Sequence, residues 1–354
     1  MAQARSNVGA DPALAGVNPL QAGLAAATAV GNRRGAVRRE NLVAYLFLAP
    51  AIVILSVFHF FPLFFSFYIS MHNWRIRKVG FNGLANYGEA LRKQEFWQAF
   101  GNTVYFVIGT VPLTMALALL FAYLLFQKVR FLSFFRTVYF LPYVTSTVAA
   151  AAIWTWIFNT RSGILNAVLG GTFDTRLRWL QESRGIFYML SDRAGLADSF
   201  PRILHGPSLA LTSIMAMTIW HLLGFDVVIF LAGLGNINRE LYEAARIDGA
   251  TDWDIFRRIT LPLLTPTISF LTIISTIGAF KAFNEIYVMS TAAASGQTPG
   301  SPLGSTQTLV VYVYNQFYSS QRLGYGSAVA FLLFAAILTL TLIQLNLGRR
   351  SGAV

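Results

Sequence analysis

The sequence predicts an all-α membrane protein with six transmembrane helices, and three observations carry this prediction. Hydrophobic residues make up 55% of the 354-residue chain and charged residues only 12%, whereas an ordinary soluble domain has about a quarter charged residues. Six separate runs are apolar over about 20 residues, the length that a helix needs to cross a bilayer. The net charge of +12 comes from short basic tracts between these runs, which favours anchoring at a membrane surface over binding to nucleic acid.

Several of the predicted spans contain or adjoin proline, namely Pro62, Pro112, Pro142 and Pro266. Proline has no backbone N–H, and a membrane helix tolerates it where neighbouring helices satisfy the freed carbonyl group. The bundle is therefore expected to contain bent or broken helices. The predicted spans are 42–69, 102–126, 137–158, 209–234, 267–289 and 327–347.

The first 41 residues differ from the rest because they are rich in Ala, Gly, Asn and Gln and lack apolar periodicity. The apolar run that follows them is too long for a signal peptide, so we expect an uncleaved first span. Basic residues crowd against the span ends on one side, which favours both termini in the cytoplasm. The predicted organisation is a disordered cytoplasmic tail (1–41), a transmembrane domain (42–348) with a cytoplasmic loop (236–264) and external loops (72–100, 159–207 and 290–326), and a cytoplasmic C-terminus (349–354).

The loop between the fourth and fifth spans has more internal pattern than a connection needs. Leu241, Ala244, Ala245 and Asp248 recur at helical spacing, and Gly249 is placed to end that helix in a left-handed conformation. The spacing thus predicts a first helix that presents a face of small residues.

A second short helix is predicted after this glycine. Thr251 is placed to cap its N-terminus with Asp254 three residues on, Trp253, Phe256 and Ile259 form its apolar side, and Pro262 is expected to stop it. The two helices would project from the membrane as a docking surface for a protein. The alternative is an amphipathic helix that lies on the lipid surface.

The segment Glu243-Ala-Ala, followed by Asp248-Gly-Ala and then Phe256, Ile259, Leu261 and Pro262, resembles the EAA motif. This motif marks the transmembrane subunits of bacterial ATP-binding-cassette importers. The resemblance implies the type I importer permease fold, with the first helix of the loop seated in a cleft of a cytosolic ATPase. The residues that it implies for ATPase docking are Glu243, Ala244, Ala245, Asp248, Gly249, Phe256, Ile259, Leu261 and Pro262.

Other segments resemble one branch of these importers, the permeases of carbohydrate uptake systems. They are 81–87, 96–97, 102–103, 141–142, 156–159, 224–225, 230–234 and 286–289, with Gly163 and Asn166. The chain departs from this branch in two places: 291–299 replaces a Gly-Gly-Pro turn, and the 159–207 connection is long. The resemblance implies import of a sugar, with glycerol-3-phosphate or a polyol as the alternative.

The resemblance also implies partners and a location. The partners are a second homologous permease subunit, two cytosolic ATPase subunits, an external solute-binding protein and the lipid membrane. Nucleic acid is not expected as a partner. The location is the inner membrane of a bacterium or archaeon, which this chain would cross several times. Loops 72–100 and 159–207 are candidates for receiving the binding protein, with plain solvated loops as the alternative.

The chain itself offers no site for an energy-yielding reaction. Its four lysines lie outside any Gly-Lys-Ser/Thr phosphate loop, and it has no cysteine for a disulfide, a thiolate metal site or a nucleophile. We therefore expect a non-catalytic subunit with no cofactor of its own and no metal site. ATP and Mg²⁺ would bind to the partner ATPase.

Polar residues within the spans are the candidates for the substrate pathway, because burying them in a bilayer is costly. Asn284 and Trp220 suit a sugar, since an amide binds hydroxyl groups and an indole stacks on a pyranose ring. The alternatives are mutual neutralisation of Lys281 and Glu285 on one helix face, interfacial packing of Trp220, and hydrogen bonds to neighbouring helices for His221 and Asp226. The candidates are Trp220, His221, Asp226, Lys281, Asn284, Glu285, Tyr314 and Asn315.

Two functions of other classes remain open at this point. In an ion-coupled secondary transporter, His221, Asp226, Lys281 and Glu285 would form a proton or ion relay. The lack of two inverted halves with matching interrupted spans disfavours it. A membrane scaffold without transport would explain the loop but would leave the polar residues of the spans without a role.

Overall fold

The computed structural model describes residues 43–127, 131–169, 177–193, 195, 205–292 and 298–350. The predicted tail (1–41) and most of the predicted C-terminus (349–354) lie outside the described residues. The chain forms two units, Met1–Ser66 and Phe67–Val354. In the first unit the structure describes a helix from Val43 onward with a π-helical turn at Ser56–Phe60. This helix, α1, extends to Ser70, where the second unit has already begun.

The described elements are helices with one small hairpin. In chain order they are α1 (Val43–Ser70), β1 (His72–Trp74), β2 (Lys78–Phe81), α2 (Ala85–Arg92), α3 (Gln94–Phe126), α4 (Leu132–Val144), α5 (Thr147–Ile157), α6 (Ile164–Leu169), α7 (Ile186–Arg193), α8 (Leu209–Gly235), α9 (Arg239–Ile247), α10 (Asp252–Leu263), α11 (Thr265–Phe280), α12 (Asn284–Ala292), α13 (Leu309–Tyr318) and α14 (Leu323–Arg350).

Among the described residues, four helices are long and apolar enough to cross a membrane, and two bent pairs raise the number to six if each pair is one span. The long helices are α1, α3, α8 and α14, which contain the predicted first, second, fourth and sixth spans apart from residue 42. The helix α3 begins eight residues before the predicted second span, inside the predicted 72–100 loop. The bent pairs are α4 with α5, and α10 with α11.

The predicted third span, 137–158, is not a straight helix. It bends by 93° between α4 and α5, three residues after Pro142. The N–H of Thr145 bonds to the carbonyl oxygens of Leu141 and Pro142, and its hydroxyl donates to Pro142 at 2.6 Å. Thr145 thus satisfies carbonyl groups at the end of α4 at the bend, as a membrane protein requires.

The prediction of one continuous helix for the fifth span, 267–289, is wrong, because the structure interrupts the helix near the middle of this range. The helix α11 ends at Phe280, where the N–H of Lys281 bonds to Ile277 and Gly278, and a new helix begins only at Asn284. Lys281 and Glu285 therefore do not share a helix face. None of the ion pairs between described residues joins them, so mutual neutralisation is not their role in this structure.

The second helix of the loop also ends one residue later than the expected stop at Pro262. A π-helical turn at Phe256–Thr260 precedes the proline, and the N–H of Leu261 bonds back to Phe256. Pro262 then sits in the first turn of the final helical segment, where its missing N–H costs little. The helix instead ends at Leu263, and the chain turns by 62° into α11.

The helices of the second unit pack around α8, whose closest neighbours are α3 and α4. At Gly224 the two backbones of α8 and α4 nearly touch, because a Cβ there would lie 1.8 Å from the carbonyl oxygen of Tyr139. One apolar core contains Phe106 and Ile214, and a second, nearer to the 236–264 loop, contains Phe230 and Leu264. These contacts hold α8 as the central helix against which the site is built.

At the opposite end of the bundle, the hairpin and α2 are tied to the start of α14. The side-chain amide of Asn86 donates to the carbonyl oxygens of Ser70 (2.8 Å) and His72 (3.0 Å). Glu89 pairs with Arg322 at 2.6 Å and with Lys93 at 3.0 Å. Hydrogen bonds from these two cations lower the pKa of Glu89 to about 2.

Replacing Gly224 with alanine should separate α4 from α8. We expect a loss of about 3 kcal/mol in unfolding free energy, because backbone cannot move aside as a side chain can. Thermal unfolding in detergent measures it. The matched control is Gly101→Ala in α3, where a Cβ meets nothing within 4 Å; it should be neutral or stabilising by about 0.5–1 kcal/mol. Equal melting temperatures for the two variants would contradict the close contact.

Glu89→Gln should destabilise the protein in a pH-dependent way. The carboxyl pKa is lowered from 4.5 to about 2 in the folded chain, so its contribution is complete above pH 4.5 and is lost as the pH falls towards 2. Because Glu89 is partly exposed, we expect about 1 kcal/mol at pH 7. The melting-temperature gap to wild type should close as the pH falls from 4.5 to 2, whereas Glu95→Gln should show little gap at any pH.

Candidate functional site

Two candidate sites emerge, and the first is the 236–264 loop. Its helix α9 begins at an N-cap, where the side-chain oxygen of Asn238 accepts the N–H of Glu240 at 3.0 Å. It ends as predicted at Gly249, which has φ +79°. The N–H of Ala250 bonds to the carbonyl of Ala245 at 2.9 Å and that of Gly249 to Arg246 at 3.1 Å, which satisfies the last carbonyls of the helix.

The predicted cap of the second helix is confirmed. The hydroxyl oxygen of Thr251 accepts the N–H of Asp254 at 3.2 Å, and the hydroxyl donates to the Asp254 carboxylate at 2.5 Å. The bond from this hydroxyl lowers the pKa of Asp254. Capping at both helices means that the loop has a defined shape made by its own residues.

The nine predicted docking residues divide into two groups by exposure. Glu243, Ala244, Asp248, Gly249 and Pro262 are exposed, and Ala245, Phe256, Ile259 and Leu261 are partly buried. Glu243 pairs with Arg239 at 3.2 Å on the surface of α9. Ile247, which the sequence analysis did not single out, is 86% exposed at the end of α9.

The partly buried group anchors the loop to the bundle. The ring of Phe256 packs edge-on against Tyr123 near the end of α3, with centroids 4.9 Å apart. Ile255 and Thr260 are buried, and the hydroxyl groups of Thr260 and Tyr242 lie 3.3 Å apart. Movement of α9 would therefore reach α3 through packed side chains.

The second candidate site is a cavity of about 480 Å³ where the third and fifth spans are interrupted. It brings together four of the eight predicted pathway residues from two helices and the break between α11 and α12. Its contributors from α4, α5 and the middle of α8 are not among the predicted pathway residues. The lining residues are Tyr143, Thr147, Met217, Thr218, His221, Leu222, Gly278, Lys281, Ala282, Phe283, Asn284 and Glu285.

The polar groups of this cavity are held by specific contacts. The Nε2 atom of His221 lies 3.2 Å from the hydroxyl oxygen of Thr147, which links α8 to α5. The ring of Tyr143 stacks on Phe225 with centroids 4.8 Å apart. Lys281 and Asn284 are exposed, and none of the described ion pairs includes Lys281. A lysine in a span needs water or a polar ligand, so this cavity suits polar contents.

The other four predicted pathway residues lie outside the cavity. Trp220 is half exposed and packs against Trp154, with ring centroids 5.5 Å apart. Asp226 is buried, and its Oδ2 atom has no hydrogen-bond partner among the described residues. Tyr314 packs on Phe283, which does line the cavity (5.1 Å). Asn315 donates to the carbonyl of Pro299 at 2.9 Å and thereby holds the preceding loop.

In the part of the chain that the structure describes, no group of three or more His, Cys, Asp or Glu side chains is arranged to hold a metal ion. The cavity combines one histidine, one carboxylate, one ammonium group and several neutral donors. Such a set suits hydrogen bonding to a polar ligand.

Comparisons with known proteins agree with this architecture. Residues 115–352 match the family model described as "Binding-protein-dependent transport system inner membrane component". The lactose transport system permease protein LacF of Rhizobium radiobacter is 31% identical over 91% of this chain and 99% of its own length. The arabinooligosaccharides transport system permease protein AraP of Bacillus subtilis is 33% identical over 87% of this chain and 89% of its own.

A solved structure shares the fold. It is that of a bacterial alginate ABC transporter in complex with an alginate pentasaccharide-bound periplasmic protein. One of its chains matches with a TM-score of 0.69 at 21% identity, covering 88% of this chain and 96% of that chain. The type I importer permease fold expected from the EAA motif is thus confirmed. The chain belongs to the family of binding-protein-dependent transport system inner membrane components, as a multi-pass permease of the ATP-binding-cassette importers.

Proposed function

We propose that this chain forms half of the translocation pathway of a sugar importer, paired with a second, homologous permease subunit. The observation that carries the proposal is the polar cavity between two interrupted spans. Relatives that are about one-third identical over most of the chain are permeases for lactose and arabinooligosaccharides, which supports a mono-, di- or oligosaccharide as the substrate. Membership of this family also argues against the alternative of an ion-coupled secondary transporter.

The cavity supplies the chemistry that a sugar needs. The Asn284 amide both donates and accepts hydrogen bonds, the Glu285 carboxylate accepts them, and Thr147 and Thr218 add hydroxyl groups. Tyr143 and Phe283 add aromatic rings to the lining, which suits the apolar face of a pyranose. A site with both features binds hydroxyl-rich ligands without needing a cofactor.

The 236–264 loop is the proposed attachment point for a separate cytosolic ATPase. Its exposed helix α9 would dock into the ATPase, and its second helix would pass the motion to α3 through Phe256 and Tyr123. The loop also connects α8 directly to α11, the helices on two sides of the cavity. ATP and Mg²⁺ would bind to two ATPase subunits, and this chain would contribute movement only.

An external solute-binding protein completes the proposed assembly. The family is defined by dependence on such a protein, and the related alginate transporter has been solved with a periplasmic protein. Of the expected receiving connections, the part of 72–100 that follows the hairpin (85–100) and the connection 159–207 are the proposed surfaces for the solute-binding protein. The described part of the second connection is ordered around Asn166, which accepts from the indole of Trp179 at 2.9 Å and donates to Leu177.

Ala244→Trp should uncouple the ATPase. Ala244 is exposed on α9, so an indole there leaves the fold intact but blocks a close-fitting cleft. We expect uptake and transport-linked ATP hydrolysis of the assembled complex to fall at least tenfold, with an unchanged amount of protein in the membrane. Ala244→Ser, the matched small substitution, should transport normally. Normal transport by the tryptophan variant would contradict the docking role.

Asn284→Ala should impair uptake, whereas Trp220→Ala should not. Asn284 lines the cavity and Trp220 lies outside it. Loss of an amide that binds a hydroxyl group costs about 1.5 kcal/mol, so uptake by the assembled complex should fall about tenfold and discrimination between sugars should change. A larger loss of uptake in Trp220→Ala than in Asn284→Ala would contradict sugar binding in this cavity.

Glycerol-3-phosphate is the second candidate substrate, favoured by the exposed ammonium group of Lys281 in the cavity. If a phosphate binds there, Lys281→Met should reduce its uptake about tenfold or more, because a charge-assisted hydrogen bond is lost. Uptake of a neutral sugar by the same variant should change much less. Comparing both uptake rates in one assembled complex decides between the two substrates.

A further inference from the structure

The hairpin that follows α1 carries a concentration of positive charge. Arg75, Arg77 and Lys78 lie within four positions, and no acidic residue occurs between Met71 and Gly88. Arg75 and Arg77 are exposed, and neither takes part in an ion pair between described residues. Lys78 differs because its ammonium group donates to the hydroxyl of Tyr68 at 2.5 Å.

The same segment exposes large apolar side chains among these charges. Their exposed fractions range from 67% to 74%. Basic and apolar side chains that alternate in this way are typical of segments that lie in a membrane interface. The apolar residues are Ile76, Val79, Phe81 and Leu84.

Contacts within the second unit fix the position of this hairpin. It begins two residues after α1 ends at Ser70, and Asn86 binds the carbonyls on both sides of that junction. It also meets α14, because a Cβ on Gly324 would lie 2.0 Å from the carbonyl oxygen of His72. The hairpin is therefore fixed beside the ends of two helices that are long enough to cross the bilayer.

The side of the membrane follows from α3. This helix leaves the hairpin region at Gln94 and ends at Phe126, next to the 236–264 loop, where Tyr123 contacts Phe256. The hairpin thus lies on the face opposite to the loop, the outer face. Basic clusters beside spans are disfavoured there, so this one calls for a compensating negative partner.

We propose that residues 72–84 form an interfacial anchor that binds the outer leaflet of the membrane. The apolar side chains enter the boundary between headgroups and acyl chains, and Arg75 and Arg77 bind the phosphate groups of anionic lipids. Lipid is the occupant that the position favours, because the ends of α1 and α14 place the hairpin beside headgroups whether or not another protein is present. The assignment to the outer leaflet rests on the proposed cytoplasmic position of the 236–264 loop, whereas the inference does not depend on the proposed sugar.

The absence of cysteine from the chain allows a direct test. Val79→Cys introduces one thiol on the exposed hairpin for an environment-sensitive fluorophore. In bilayer nanodiscs, a quencher attached to lipid just below the headgroup should quench this probe, and a water-soluble quencher should have little effect. A probe that only the soluble quencher reaches overturns the proposal. The proposal is also overturned if the lipid-borne quencher does not reach the probe and a solute-binding protein shields the probe from the soluble quencher.

The role of the arginines is tested by titrating an anionic phospholipid into the labelled full-length chain in detergent. Each charge removed near a lipid surface weakens binding about fivefold, so Arg75→Gln and Arg77→Gln should each show that loss, and raised salt should imitate it. Arg161→Gln, an exposed arginine of another outer connection, is the matched control and should bind as wild type. Arg75→Lys should retain binding. Equal affinity for anionic and zwitterionic lipid would overturn the phosphate contact.

Discussion

Every peptide group inside a bilayer must find a hydrogen-bond partner within the protein, because hydrocarbon offers none. The long helices meet most of this demand by themselves, and two described interruptions of helical geometry lie beside the cavity. At the first, Thr145 closes the end of α4 onto Leu141 and Pro142. At the second, Lys281 closes the end of α11 onto Ile277 and Gly278. Both interruptions border the same cavity. The site therefore exists where the backbone stops being a regular helix.

The connectivity joins this cavity to the loop. The helix α8 leads from His221 to Gly235, and the next residues open the loop. A single residue, Leu264, then separates α10 from α11, which leads back to the cavity at Gly278. A displacement of the loop would act on both walls at once. The close contact of α8 and α4 at Gly224 would carry such a movement to the third span as well. In this arrangement, the proposed ATPase and the proposed sugar site share helices.

The features that the sequence predicted well are those with local causes. The end of α9 at Gly249 follows from the need for a positive φ, and the start of α10 at Thr251 follows from a side-chain cap. Four spans were found because continuous apolar composition over about 20 residues is itself a local property. The family resemblance added the partners and the fold, which spacing alone left open.

The features that the sequence did not predict depend on tertiary packing. No proline or glycine lies at 281–283, so nothing local announces the break that separates Lys281 from Glu285. Thr147 and Thr218 are ordinary residues of apolar helices until the bend after Val144 brings α5 beside α8. The indole of Trp220 suits a sugar chemically, but Trp220 does not line the cavity. Residue type identifies the polar candidates, but the packing of the helices determines which of them line the same cavity.

The double capping of the loop has a consequence for assembly. Because Asn238, Gly249 and Thr251 satisfy the helix ends from within the loop, α9 can hold its shape before any partner arrives. Binding to a preorganised helix avoids the entropy loss of ordering a flexible segment at the interface. Association would then be governed by collision and orientation, and the complex could exchange subunits without refolding the loop.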